Sequence, residues 1–197
     1  MAARTADVVV IGGGIHGCST ALHLALRGVR TILVEKDHAG RHASGVNAGG
    51  VRQLARHVAE IPLSIQSMAL WERIEELVGD DCGFSSAGTV LVAESDDELA
   101  GFRARVDDLR LRGFTHEELI DRTELRRLVP AVSEHCPGGV VSRRDGAADP
   151  FRTTQAFRRR AVEKGVTVLE GVRVTGLARQ GAVWRVETSD GPIEAPK

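Results

Sequence analysis

Three glycines and one carboxylate near the amino terminus have the types and spacing that bind a dinucleotide. Gly12, Gly14 and Gly17 follow the G-x-G-x-x-G pattern, and Glu35 lies 18 residues after Gly17. The first glycine permits a sharp turn out of a strand, the second lets the backbone approach a pyrophosphate, and the third lets a helix pack closely. A carboxylate at the position of Glu35 accepts hydrogen bonds from ribose hydroxyls and repels a 2′-phosphate, which argues against NADP.

The apolar pattern predicts the elements that would position these groups. The uninterrupted run at residues 8–11 is rich in β-branched residues and predicts a strand buried on both faces. A helix is expected over residues 15–27, closed by Gly28, and a second buried strand over residues 31–34. The amino end of that helix would face the phosphates. A glycine-rich turn in an ordinary α/β protein is the alternative, which the combination of strand, helix and acid disfavours.

The composition is that of a soluble globular protein with no strong electrostatic preference for a polyanion. The 197 residues are 42% hydrophobic and 27% charged, with a net charge of -1, so no global basic field attracts nucleic acid or a membrane surface. The amino terminus shows no cleavable leader, and its apolar run is too short to span a bilayer.

The cysteines and histidines do not form a pattern of metal ligands or disulfides. Cys18, Cys82 and Cys136 are odd in number, far apart and without a C-x-x-C pair, and the seven histidines form no ligand-spaced pair. No metal site is predicted, and the reducing cytosol is the expected compartment.

The remainder of the chain predicts a discontinuous domain. A small, polar, glycine-rich loop follows Glu35, and loops of this kind within compact domains are usually functional. Helices are expected at 58–78, from the cap Ser95 to Gly113, from the cap Thr123 onward, and at 151–164. Strands are expected at 89–93, 140–142 and 166–169, followed by an antiparallel meander at 172–177, 183–188 and Ile193. Residues 1–56 and 145–197 are predicted to form one nucleotide-binding domain, and 57–144 an inserted α+β substrate domain.

The chain resembles the FAD-dependent D-amino acid oxidase and sarcosine–glycine oxidase superfamily. Four stretches carry the resemblance: the glycine motif extended to Gly28, the pair Glu35-Lys36, the loop ASGVNAGG at 43–50, and Asp149-Pro150 with the following helix and residues 165–174. The resemblance implies an α/β fold of the glutathione-reductase type. This is a Rossmann-like FAD-binding domain with a three-stranded meander, plus the inserted α+β domain, incomplete at the C-terminus.

By this resemblance the cofactor is FAD rather than NAD. The residues that it implies for binding FAD are Gly12, Gly14, Ile15, Gly17, Glu35, Lys36, Ser44, Asn47, Ala48, Gly49, Arg173 and Val174. Some family members attach the flavin through a histidine in the loop, and Asn47 stands in that place here. Covalent attachment at this position is therefore excluded.

The reaction implied is oxidation of the C–N bond of an amine or amino acid, by hydride transfer from Cα to flavin N5. The resulting imine is hydrolysed by water, and the cofactor supplies the difficult chemistry. Arg52 and Arg56 are candidates to bind a substrate carboxylate, although solvent-facing arginines at a helix start would look the same. No catalytic residue is predicted. Which amine is oxidised, and whether oxygen or another acceptor takes the electrons, stays open.

Two other functions stay open at this point. One is an FAD-carrying component of a multi-subunit amine, opine or proline dehydrogenase without independent activity. The other is an NAD-dependent dehydrogenase, which fits the βαβ unit but neither the loop nor Asp149-Pro150. Members of the family are nearly twice as long, so the chain is expected to be an N-terminal fragment that is inactive alone. An unpaired strand edge is expected beside Val34.

Overall fold

The computed structural model describes residues 3–197. Their strands are β1 (Arg4–Thr5), β2 (Val8–Ile11), β3 (Thr31–Val34), β4 (Gly50–Val51), β5 (Thr89–Ala93), β6 (Glu118–Asp121), β7 (Gly138–Ser142), β8 (Gly146–Ala147), β9 (Thr167–Leu169), β10 (Val174–Gln180), β11 (Val183–Thr188) and β12 (Ile193–Ala195). The α-helices are α1 (Ile15–Ala25), α2 (Ile61–Trp71), α3 (Ile74–Val78), α4 (Asp96–Leu111), α5 (Arg122–Leu128) and α6 (Pro150–Glu163).

The chain divides into two compact units. The first unit holds residues 3–49, 74–83 and 149–197, and the second holds residues 50–73 and 84–148. These bounds differ from the predicted domains at three places. Segment 74–83, which contains α3, belongs to the first unit, and residues 50–56 and 145–148 belong to the second. The domains at 1–56, 57–144 and 145–197 stay a prediction.

The first unit contains the predicted βαβ arrangement and the meander. Strands β2, β3 and β9 form a parallel sheet in that order, and α1 packs against β3 and α6. A second sheet has the order β1-β12-β11-β10, with β10, β11 and β12 antiparallel. One apolar cluster joins the two sheets and contains Ala6, Ile32, Val34, Val172, Val186 and Ile193. The α/β fold with a three-stranded meander is confirmed.

The position of the open sheet edge differs from the prediction. Strand β3 pairs with a neighbour on each side, so an unpaired edge beside Val34 is wrong. The edge strands of this sheet are β2 and β9, and the outer side of β2 receives a backbone hydrogen bond from the Val9 N–H to the Lys197 carbonyl oxygen at 3.0 Å. No strand within residues 3–197 pairs with that side of β2, and Ile11 at its end is 50% exposed. The prediction that β2 is buried on both faces is therefore also wrong.

The second unit is built on a three-stranded antiparallel sheet of order β5-β7-β6, against which α4 packs. Strands β4 and β8 form a separate antiparallel pair, with Gly50 opposite Ala147. Met68 of α2 packs with Val51 and Ala148 in a small apolar cluster. None of the helices within residues 3–197 has both the length and the apolar character needed to cross a bilayer.

Helix capping explains where the predicted helices agree with the structure and where they differ. The Ser95 hydroxyl accepts a hydrogen bond from the Glu98 N–H at 3.2 Å, so this predicted cap of α4 is confirmed. Thr123 does not cap α5, because the Asp121 carboxylate accepts from the Glu124 N–H at 2.8 Å and starts the helix two residues earlier. The single helix expected at 58–78 is a 3₁₀ turn followed by α2 and α3.

Candidate functional site

The glycine turn between β2 and α1 leaves little room for side chains at Gly14 and Gly17. Gly12 has a φ of +105°, in the region that favours glycine. A Cβ atom on Gly17 would collide with the Gly12 carbonyl oxygen, which explains the close approach of helix and strand. A Cβ atom on Gly14 would lie 2.8 Å from the Ser44 hydroxyl. The turn therefore has the shape that a pyrophosphate cradle requires.

The amino end of α1 lies against the loop predicted to contact the flavin. The Ile15 N–H donates to the Ser44 Oγ at 3.0 Å, and the first turn of α1 holds no acidic residue. Ser44 lies in a 3₁₀ turn, Ala43–Gly45, that packs on α6, where the Thr154 hydroxyl reaches the Ser44 carbonyl oxygen at 3.5 Å. A helix end of this kind carries a partial positive charge and polar N–H groups that attract an anion.

Glu35 connects the end of β3 to the glycine turn. The residue is 8% exposed, and its carboxylate oxygens accept from the Gly13 N–H at 2.6 Å and the Asp37 N–H at 2.9 Å. An ionised carboxylate has about four acceptor sites, so two protein donors leave capacity for ribose hydroxyls. The neighbouring Lys36 is exposed. The structure thus places the predicted ribose-binding acid directly beside the predicted pyrophosphate turn.

Asn47 shapes the loop in which it lies. Its Nδ2 donates to the carbonyl oxygens of Ala43 at 3.0 Å and Ser44 at 3.1 Å, and its Oδ1 accepts from the Gly49 N–H at 2.8 Å. Ala48 is exposed, and Gly49 has a φ of +69°. The amide of Asn47 therefore holds the turn of the loop, so its effect on a flavin would be exerted through the loop backbone.

Arg173 and Val174 lie at the entry to β10. Both backbone groups of Arg173 bond to Ser189, since the Arg173 N–H donates to the Ser189 hydroxyl at 3.0 Å and the Arg173 carbonyl accepts from the Ser189 N–H at 2.9 Å. Val174 packs on the apolar cluster between the two sheets of the first unit. The backbone groups of Arg173 are thus already hydrogen-bonded within the protein. Contact of Arg173 and Val174 with adenine stays a prediction.

Arg52 and Arg56 belong to the second unit and lie on one turn. The Arg52 guanidinium donates to the Leu54 carbonyl oxygen at 3.1 Å, and the Arg56 Nε donates to the Arg52 carbonyl oxygen at 3.4 Å. Within residues 3–197 neither guanidinium forms a salt bridge to a carboxylate, so most of their N–H groups are available to a ligand. Their role in binding a substrate stays a prediction.

Two residues of the candidate nucleotide site, Gly13 and Glu170, were not predicted from the sequence. Gly13 is buried, and a Cβ atom there would lie 3.0 Å from that of Glu35. Glu170, at the end of β9, accepts from the Ala39 N–H at 2.8 Å and from Arg158 at 2.6 Å. Burial raises the pKa of Glu170, but the hydrogen bonds from Arg158 and Ala39 outweigh it and leave the pKa below its usual value. Glu170 lies within residues 165–174, one of the stretches that carry the family resemblance, and this position could have indicated its place near the site.

Cys18 packs against the glycine turn, and its thiol is unreactive. Its side chain is fully buried, and its Sγ lies 3.5 Å from the Gly13 carbonyl oxygen. Burial raises the pKa of this thiol to about 12, so no thiolate forms near neutral pH. Cys18 therefore contributes packing rather than nucleophilic chemistry.

Glu35, Asp37 and His42 offer ligand atoms within 4.8 Å of one another, but the bonds that these atoms make account for the cluster. His42 pairs with Asp37 at 2.6 Å, and this hydrogen bond lowers the pKa of Asp37. The Glu35 oxygens are bonded to backbone N–H groups. We therefore treat the cluster as a hydrogen-bond network.

Comparison with known proteins agrees with this geometry. The family model described as FAD dependent oxidoreductase (DAO) matches residues 7–195. The chain is 31% identical to sarcosine oxidase subunit beta of Rhizobium meliloti, with 97% of this chain and 48% of the relative covered. It is 33% identical to one of the subunits of the anaerobic glycerol-3-phosphate dehydrogenase of Escherichia coli K12, with 91% of this chain and 32% of the relative covered.

Two solved structures extend the likeness to three dimensions. The glycine oxidase of Bacillus cereus superposes with a TM-score of 0.86 at 27% identity, covering 98% of this chain and 53% of the oxidase. The L-proline dehydrogenase of P. horikoshii superposes with a TM-score of 0.89 at 28% identity, covering 99% of this chain and 52% of the dehydrogenase. The chain thus spans about half the length of these two solved structures. It belongs to the DAO family of FAD-dependent oxidoreductases, whose cofactor is FAD.

Proposed function

We propose that this chain is the nucleotide-binding part of an FAD-dependent enzyme that oxidises the C–N bond of an amine or amino acid. The observation that carries the proposal is the buried Glu35 carboxylate, which is hydrogen-bonded to the glycine turn at the amino end of α1. The first unit thereby offers an acceptor for ribose and donors for a pyrophosphate side by side. FAD, when bound, supplies the hydride acceptor.

The proposed roles in cofactor binding follow the geometry of the first unit. The turn Gly12–Gly14–Gly17 and the Ile15 N–H would hold the pyrophosphate, while Glu35 and Lys36 would bind the adenosine ribose. The loop residues Ser44, Asn47, Ala48 and Gly49 would line the flavin. Arg173 and Val174 would lie near the adenine.

The proposed substrate class is an amino acid of the sarcosine, glycine or D-amino acid type. The names of three relatives favour it, since they are one component of a sarcosine oxidase, a glycine oxidase and an L-proline dehydrogenase. Arg52 and Arg56 would bind the carboxylate, because a guanidinium offers paired N–H donors that match two carboxylate oxygens. An amine without a carboxylate would then bind more weakly.

Two alternatives have support of their own. The sarcosine oxidase and glycerol-3-phosphate dehydrogenase relatives are both named as subunits, which favours an FAD-carrying chain that works only with a partner chain. The relative named for glycerol-3-phosphate makes an alcohol a competing substrate class. Co-purification of a second chain would favour the role as one component of a larger enzyme. The three unpaired cysteines are compatible with a reducing compartment such as the cytosol.

A substrate screen on the complete gene product, loaded with flavin, tests the proposal. Sarcosine, glycine, D-alanine, L-proline and glycerol-3-phosphate would each be supplied, with dye reduction and peroxide release as readouts. Turnover of an amino acid but not of glycerol-3-phosphate is expected. Arg52→Gln should then raise the KM for that amino acid, whereas Arg122→Gln, at an exposed arginine of α5, should not. Turnover of glycerol-3-phosphate alone would replace the amine assignment.

A further inference from the structure

Asp145 binds the backbone next to Arg52 from inside the second unit. Its side chain is fully buried, and its oxygens accept from the Gln53 N–H at 2.8 Å and the Leu54 N–H at 2.9 Å. The Ser142 hydroxyl donates to it at 2.8 Å. A buried carboxylate is costly unless its oxygens are hydrogen-bonded, and here both are bonded, mainly to two consecutive amides.

A second buried carboxylate binds the next amide in the same segment. Glu117 is 2% exposed and accepts from the Ala55 N–H at 2.9 Å. Arg105 forms a two-pronged pair with it, from Nε at 2.8 Å and from a terminal nitrogen at 2.7 Å. The same terminal nitrogen of Arg105 donates to the Arg56 carbonyl oxygen at 2.9 Å.

The segment so held has an uncommon backbone conformation. Ala55 has a φ of +57°, in the left-handed region that costs a residue with a Cβ atom energy unless its surroundings enforce it. Three consecutive N–H groups, from Gln53 to Ala55, point into two buried carboxylates. The Arg52 guanidinium in turn donates to the Leu54 carbonyl oxygen in the middle of this segment.

We propose that Asp145 and Glu117 are positioning residues that hold the backbone of residues 53–55 and thereby the Arg52 guanidinium. The inference rests on the proposed function in one respect, namely that Arg52 binds the substrate carboxylate. Neither acid would touch the substrate, since both are buried and bonded within the second unit. Their effect is to keep the guanidinium in one orientation before a ligand arrives, which strengthens binding by reducing the ordering that binding requires.

The test uses isosteric variants of the complete gene product, loaded with flavin. Asp145→Asn and Glu117→Gln each replace one acceptor oxygen by an NH₂ group, which cannot accept from the backbone amides. The matched control is Glu118→Gln, because Glu118 is the neighbouring residue but pairs at the surface with Arg143. If Glu117→Gln fails to fold, Arg105→Lys is measured instead, since it keeps the charge and loses the two-pronged pair. If Asp145→Asn fails to fold, Ser142→Ala takes its place, since it removes the hydroxyl that donates to Asp145.

Two readouts are taken from each variant. Native-state hydrogen exchange should show the amides of residues 53–55 exchanging at least tenfold faster in the two variants and unchanged in the control. The KM for the amino acid found in the screen should rise about tenfold, while kcat and flavin content change less than twofold. A purely structural role would change flavin content and kcat along with KM.

The outcomes separate this inference from the proposed function. If Arg52→Gln raises the KM and the two acid variants do not, the positioning role is wrong and the carboxylate assignment stands. If Arg52→Gln leaves the KM unchanged, the carboxylate assignment fails, and with it the link from the acids to substrate. Unchanged exchange at residues 53–55 would overturn the claim that the two acids hold this segment, whatever the kinetics.

Discussion

The Glu35 carboxylate lies 2.6 Å from the backbone nitrogen of Gly13, so the acid after β3 and the glycine turn after β2 form one hydrogen-bonded structure. The two residues are 22 positions apart and are brought together by the parallel pairing of β2 with β3. A change at Glu35 should therefore affect the glycine turn as well as the proposed ribose-binding position.

Glu35→Gln should weaken FAD binding. The amide keeps one acceptor oxygen and places an NH₂ group against a backbone N–H, and the loss of a hydrogen bond to a charged acceptor costs about 1.5–3 kcal/mol. This corresponds to a Kd raised about 10- to 150-fold. Titration of the apoprotein with FAD, followed by flavin fluorescence, measures it. Glu163→Gln, at an exposed residue of α6, is the control, and an equal Kd in both variants would refute the ribose assignment.

Gly14→Ala should lower FAD affinity while the protein still folds. The new Cβ atom would lie 2.8 Å from the Ser44 hydroxyl and would stand where the backbone must approach the pyrophosphate. The backbone at Gly14 is extended, with φ of -75°, so no backbone strain is added. The comparison is Gly101→Ala in α4, where the Cβ atom meets nothing within 4 Å.

Gly101→Ala should bind FAD normally and gain about 0.5–1 kcal/mol of stability, because alanine is the better helix former. Flavin content after gel filtration and urea unfolding distinguish the two glycine variants. Normal flavin loading by Gly14→Ala would contradict the proposed role of the glycine turn in holding the pyrophosphate.

All three thiols should be unreactive in the native protein. Cys18, Cys82 and Cys136 are free and buried, and burial raises the pKa of Cys18 to about 12 and also raises that of Cys82. Titration with a chromogenic disulfide should therefore find almost no fast-reacting thiol in buffer and three per chain in guanidinium chloride. A fast native reaction would show that one of these sites opens or is accessible.

The stability of the protein should fall as the pH drops below about 6.5, through His116. Its side chain is 8% exposed, neither ring nitrogen has a hydrogen-bond partner within residues 3–197, and burial lowers its pKa from 6.5. The negative charges of Glu117 and Asp145 raise this pKa and Arg105 lowers it further, but burial is the largest effect.

The unfolded chain binds a proton at His116 near pH 6.5 and the folded chain does not. The free energy of unfolding therefore decreases as the pH falls. The loss should level off once the pH is below the folded pKa. Urea unfolding at several pH values between about 7.5 and 5 would show a smaller slope for His116→Phe than for the parent. An unchanged slope in that variant, with the exposed His135→Gln as control, would assign the dependence to other groups.

Flavin should be released when the holoprotein is precipitated with acid. Asn47 stands in the loop, and its amide is committed to bonds with Ala43, Ser44 and Gly49. An amide is not a nucleophile that could form a bond to the flavin. FAD in the supernatant, measured by absorbance, is the expected result, and flavin in the pellet would locate a covalent link at another residue.

The local elements of the nucleotide site were determined by the sequence. The apolar runs at β2 and β3 and the spacing of Gly12, Gly14 and Gly17 depend on contacts within about 30 residues, for which periodicity and glycine geometry are sufficient. The same holds for the Ser95 cap of α4, because a hydroxyl and an N–H group three residues apart meet within one helical turn.

Tertiary structure alone decided which polar groups meet across the chain. Asp145 bonds to Gln53 over 92 positions, and Glu117 to Ala55 over 62, and no periodicity links such residues. The edge position of β2 was equally invisible, because an apolar run predicts a strand but neither how many neighbours it has nor how far it is buried. Long-range pairing depends on how the sheets assemble, so the anchoring of Arg52 could only be read from the folded chain.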